Sequence, residues 1–162
     1  MLVRNHPNET ARWQRWKPRR ERVALAERPR RTSKALFDQL HHAAVAVGLN
    51  TSAQIEASIL GKPVYTFSAG AAAPAQSGSL HFYYLLRDRG GVVSYAETLR
   101  EHVDQLERGI QGDYDREAIT RFCEWFVRPR GLDRPVAPIV AAEVLKLAEW
   151  GLPARRAAAV GG

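Results

Sequence analysis

Ala44-Val45-Ala46-Val47-Gly48-Leu49-Asn50-Thr51-Ser52-Ala53-Gln54-Ile55-Glu56-Ala57 is followed, after Gly61-Lys62, by Pro63-Val64-Tyr65-Thr66-Phe67. The first six residues form a near-continuous apolar run, the pattern of a parallel strand buried on both faces. Asn50-Thr51-Ser52 supplies helix-capping chemistry, so a helix is expected from Ala53 to Leu60. Gly61 suits the end of that helix, and 63–67 is apolar and β-branched or aromatic enough for the next strand. Strand, helix and strand at this spacing make a βαβ unit, which implies a parallel sheet covered by helices.

Working outward, Leu2-Val3-Arg4 begins a short strand ending at His6-Pro7, and Val23 to Ala26 is a second, closed by Pro29. Thr32 or Ser33 can cap a helix to about His42, with Leu36, Phe37 and Leu40 on one face. Residues 68–79 are rich in Ala, Gly, Ser and Pro and read as a mobile loop. A helix is expected from Leu80 to Arg87, then a last strand over Val92 to Tyr95 after Gly90-Gly91. The remainder is helical in pattern. Thr98 and Glu101 have capping-box spacing before a 97–110 helix, Asp115 can cap a helix to Val127, and 135–150 reads as a terminal helix. The reading is one α/β domain over residues 1–152 and a flexible tail over 153–162.

Composition narrows the function classes. The chain has 162 residues, 45% hydrophobic and 25% charged, ordinary values for a globular protein. No apolar run reaches the ~20 residues that cross a bilayer, and the start lacks a secretory h-region, so a cytoplasmic protein is expected. The single cysteine, Cys123, has no internal disulfide partner and reads as a buried structural thiol. The net charge is +7. Residues 1–40 hold eleven Arg and Lys against four Asp and Glu, whereas 41–162 hold thirteen of each, so the excess lies in the first quarter. That basic segment, with Trp13 and Trp16 interleaved, suits a polyanion, or is simply a solvated arginine-rich edge. Nucleic acid is disfavoured because no recognition motif accompanies the charge.

The turn after the apolar run carries the main site expectation. Ligands of open α/β sheets bind at the carboxyl ends of strands, and a helix N-terminus offers unpaired N–H groups and a positive dipole end. Thr51 and Ser52 add hydroxyl donors for a diphosphate, and Glu56 lies where it can accept from sugar or ribose hydroxyls. The same residues serve equally as plain caps, with Glu56 a solvated charge. His81, after the 68–79 loop, can reach the cleft, whereas His41-His42 compensates a helix dipole and His102 reads as a helix-surface residue. No metal-ligand spacing, nucleophilic triad, Walker motif or dinucleotide fingerprint is present, so no metal and no cofactor are expected.

The string Asn50-Thr51-Ser52, Glu56-Ala57 and Gly61-Lys62-Pro63-Val64 resembles the donor-site signature of GT-B glycosyltransferases, and of related nucleotide-sugar 2-epimerases and capsule-polysaccharide and teichoic-acid polymerases. Arg4-Asn5-His6-Pro7-Asn8-Glu9 is similar to a turn that in such families lies near the donor phosphates. Leu80-His81-Phe82-Tyr83-Tyr84, Gly90-Gly91-Val92-Val93 and Glu101-His102 continue a pattern of bacterial surface-polysaccharide proteins. The resemblance implies a Rossmann-like three-layer domain truncated at its N-terminal side. It would be the donor half of a surface-polysaccharide transferase, binding a nucleotide-activated sugar or nucleotide diphosphate through His6, Asn50, Thr51, Ser52, Glu56 and His81. It also implies a partner chain supplying the absent acceptor half, and no transfer by this chain alone. Asn50 stands where several relatives carry an aspartate. The alternative is a non-catalytic remnant or an interaction module acting through the basic segment.

Overall fold

The computed structural model describes residues 1–4, 15–26, 33–68 and 80–150. It is a mixed α/β structure with two small parallel sheets and, among the described residues, six α-helices. Strands β1 (Leu2–Val3) and β2 (Ala24–Leu25) pair in parallel, Leu2 opposite Ala24. Helix α1 (Ser33–His42) follows, and Arg4 donates to Gln39 across 2.9 Å, tying the end of β1 to it. Strands β3 (Ala46–Val47), β4 (Val64–Phe67) and β5 (Val93–Ala96) form the second sheet in that order. Helix α2 (Ala53–Ile59) connects β3 to β4, and α3 (Leu80–Leu85) precedes a 3-10 turn over Arg87–Arg89 before β5. The βαβ unit is therefore present, with Val64 opposite both Ala46 and Val93.

Among the described residues only β4 is a fully enclosed strand, because it has a hydrogen-bonded neighbour on each side. Val64, Tyr65 and Thr66 are all buried. The 44–49 run, expected to be buried, is not. Its ladder is two residues long, and Val47 and Leu49 are 51% and 40% exposed. Strand β3 ends the second sheet's ladder, so its apolar sequence meets a neighbour on one edge only.

Side-chain alternation divides the packing. Val64 and Val93 join Ala57 of α2 and Ile119 and Phe122 of α5 (Arg116–Phe122) in one apolar cluster with Leu85 and Val92. Phe122 is fully buried and stacks on Phe126 at 4.9 Å, the largest contribution to that cluster at about 1.5–3 kcal/mol of transfer free energy. Tyr65 and Phe67 point the other way, under α4 (Leu99–Ile110).

Helix ends follow their sequence signals closely. Thr98 accepts from the Glu101 N–H at 3.2 Å, while the Glu101 carboxylate accepts from the Glu97 N–H at 3.0 Å. Asp115 accepts from the Ala118 N–H at 2.8 Å. Gly61, at φ +69°, lets the Lys62 N–H reach back to the Ala57 carbonyl, closing α2. The helix expected to run from Asp115 to Val127 instead changes pitch at Cys123, where a π-helical turn closes with Arg128 N–H on the Cys123 carbonyl. The last helix, α6 (Val136–Trp150), carries Pro138 in its first turn, where no N–H is required. Val140, Val144, Leu145 and Leu147 on it are exposed. Among the described residues no helix is long and apolar enough to cross a membrane. Residues 69–79 of the expected 68–79 loop and the tail over 153–162 fall outside the described residues.

Candidate functional site

The Gly48–Ser52 turn stands at the carboxyl end of β3, and it is organised by a residue to which the sequence reading assigned no role. Gln54 is 2% exposed and folds back into the turn. Its Oε1 accepts from the Thr51 N–H at 3.1 Å, and its Nε2 donates to the Gly48 carbonyl at 3.3 Å. Thr51 Oγ1 in turn accepts from the Ala53 N–H at 3.4 Å. Thr51-Ser52-Ala53-Gln54 has the capping-box spacing, and that spacing was the signal that could have exposed the role of Gln54. Gly48 is required for the arrangement, since a Cβ there would come within 2.9 Å of Gln54 Cγ.

Thr51, Ser52 and Glu56 are all exposed, Glu56 in the first turn of α2, and Asn50 is half-buried. Ser52 makes no side-chain cap bond. Its N–H donates to no acceptor among the described residues, whereas the Thr51 N–H is already held by Gln54. The turn thus presents one free backbone donor and two hydroxyls to solvent. Four of the six expected donor-binding residues (Asn50, Thr51, Ser52 and Glu56) sit together here because they are close in sequence. His81 lies in α3, between β4 and β5 in the chain, and its side chain is outside the described set. His6 lies outside the described residues altogether.

His102 is a correction. Expected on the helix surface, it is 4% exposed, and its ring meets Phe67 at 4.9 Å. Burial lowers its pKa below the ordinary histidine value, and Nδ1 has no partner among the described residues. Cys123 is half-buried with Sγ 3.5 Å from the Ser58 carbonyl, and burial together with Glu124 pushes its thiol pKa up. Such a thiol is mostly protonated at neutral pH, which suits packing rather than nucleophilic work. Among the described residues no group of three or more His, Cys, Asp or Glu is placed to hold a metal ion.

A cavity of about 390 Å³ lies elsewhere, beside Tyr65, Ser94 and the C-terminal half of α4. His102 covers Phe67 while Gly109 covers Tyr65, so α4 runs antiparallel to β4 and its last turns reach the amino end of the strands. The cavity lies on the α4 face of the sheet, whereas the Gly48–Ser52 turn leads into α2 on the Val64 face, even though the Gly48 N–H donates to the Tyr65 carbonyl at 3.1 Å. Comparison with protein-family models, with curated proteins and with solved structures gives no match for this chain.

Proposed function

We propose that this chain is a nucleotide-diphosphate-binding module of Rossmann-like three-layer type, the donor half of a glycosyltransferase-like surface-polysaccharide protein. The observation that carries this reading is the exposed turn at the carboxyl end of β3. There the Ser52 N–H and the Thr51 and Ser52 hydroxyls are open while Gln54 holds the backbone in place. A diphosphate on that turn accepts from all three donors, and the positive end of α2 adds to the attraction. Glu56, one turn along the same helix, accepts from ribose or sugar hydroxyls. In this reading the turn stabilises a leaving diphosphate, and transfer also needs an acceptor-binding half.

Titration calorimetry with a panel of nucleoside diphosphates tests it. Thr51→Val with Ser52→Ala should weaken binding by about 1–3 kcal/mol, the worth of charge-assisted bonds to phosphate. Unchanged affinity in the double variant would overturn the site.

A second reading rests on Arg15, Lys17, Arg19, Arg20 and Arg22, all exposed and in no ion pair among the described residues. That segment suits a polyanionic partner. Binding that collapses between low and moderate salt, and is indifferent to the Thr51 and Ser52 changes, would favour it.

A further inference from the structure

The cavity beside α4 has the chemistry of a binding site of its own. Its floor comes from adjacent strands, Tyr65 of β4 standing directly opposite Ser94 of β5 in register. The Tyr65 side chain is all but enclosed, at 5% exposure, yet neither its hydroxyl nor that of Ser94 has a hydrogen-bond partner among the described residues. Neither oxygen is sealed from solvent, so both open into the cavity. Gly109 lets α4 close over the ring, since a Cβ there would overlap the Tyr65 hydroxyl. Gln105 lines the same cavity, its Nε2 held by the Tyr95 carbonyl at 3.2 Å.

The charges on the rim are of two kinds. Asp115 is occupied: it caps α5 and pairs with Arg87 at 3.5 Å and Arg121 at 3.8 Å. Arg108 and Asp113 also line the cavity, and neither forms an ion pair, with each other or with any described residue. One guanidinium thus awaits an anion, and one carboxylate awaits donors. An apolar occupant would cover the Tyr65 hydroxyl and leave it unpaired, at about 1–3 kcal/mol. A polyanion such as a nucleotide would meet the Asp113 carboxylate as well as Arg108.

We propose that this cavity is a ligand site, separate from the Gly48–Ser52 turn, that takes a small polyhydroxylated molecule bearing one anionic group, the chemistry of a sugar phosphate. Arg108 holds the anion. The Tyr65 and Ser94 hydroxyls and Asp113 take the ligand's hydroxyls, with Gln105 forming part of the wall. Burial raises the Tyr65 pKa against the opposing pull of Arg87 and Arg108, so the phenol is protonated at neutral pH and donates. A volume of about 390 Å³ falls in the range of small-molecule pockets, about 300–1,000 Å³.

Amide-resolved NMR titration of the full chain with glucose 6-phosphate tests the assignment, with glucose, inorganic phosphate and glycine in parallel. Saturable shifts at the Ser94, Gln105 and Arg108 amides are expected with glucose 6-phosphate. Binding should be weaker by about tenfold for inorganic phosphate and for the Arg108→Gln variant, each lacking part of the contact set. Arg108 is exposed, so that variant keeps the fold, and Tyr65→Phe, which keeps the ring, should weaken binding by about threefold. The proposal is overturned by absence of saturable shifts at those amides, by shifts that persist unchanged in Arg108→Gln, or by glycine or phosphate binding as tightly as glucose 6-phosphate. Nucleoside diphosphate shifts at Thr51 to Ala53 report on the other site and leave this outcome unaffected.

Discussion

Gln54 and Gly48 offer a direct test of how the β3–α2 turn is built. Gln54→Ala removes a bond to the Thr51 N–H at 3.1 Å and one to the Gly48 carbonyl at 3.3 Å. At about 0.5–1.5 kcal/mol net for each bond, the loss is about 1–3 kcal/mol before any cavity cost. For a chain of this size that lowers the melting temperature by about 2–10 °C. Gly48→Ala attacks the same contact from the other side, because the new methyl would come within 2.9 Å of Gln54 Cγ and 3.0 Å of Thr51 Cγ2. In the native background this overpacking should cost about 1–3 kcal/mol. With Gln54 cut back to Ala, most of the crowding disappears and the Gly48→Ala cost should fall by more than half. The assay is urea unfolding of the two single variants and the double variant, comparing midpoints at constant m-value. Strictly additive losses, or a Gln54→Ala midpoint equal to the native one, would refute the turn's construction.

His102 gives a pH prediction with a definite sign. Its folded pKa lies below the ordinary histidine value, so the unfolded chain takes the proton first as the solution is acidified. Stability from this residue is complete above about pH 6.5 and declines as the pH falls from there toward the folded value. His102→Phe should flatten that part of the stability curve, and an unchanged slope in thermal melts across that range would contradict it. Gly91→Ala should destabilise strongly, by about 1–3 kcal/mol or more, because its Cβ would overlap the Leu85 carbonyl group, which is backbone and has little room to yield. Gly112→Ala, at φ +87° with nothing within 4 Å, should cost only about 1 kcal/mol, and thermal melts ranking the two the other way would show the packing at Gly91 to be wrong.

The sequence alone determined the elements whose signals are local. The caps at Thr98 and Asp115 and the stop at Gly61 each depend on residues within five positions of one another, and the strand–helix–strand order around Gly48–Ser52 follows from consecutive local patterns. Backbone donors and φ angles are satisfied at that range, so single-chain patterns carry them. Even Gln54 was legible by its spacing from Thr51. The tertiary structure alone decided which faces are covered. The 44–49 run looks like an interior strand, yet it lies at the edge of its sheet, because strand order is set by long-range pairing and not by composition. The apolar positions of α4 suggest a core face through Leu99, Val103 and Ile110, yet these are exposed while His102 and Gly109 are buried. The reason is shape: the sheet presents two large rings, Tyr65 and Phe67, and α4 can approach them only where it carries a flat imidazole and a residue with no side chain. The cavity beside α4 is lined by Tyr65 and Ser94, residues far apart in the chain whose juxtaposition exists only once β4 and β5 have paired.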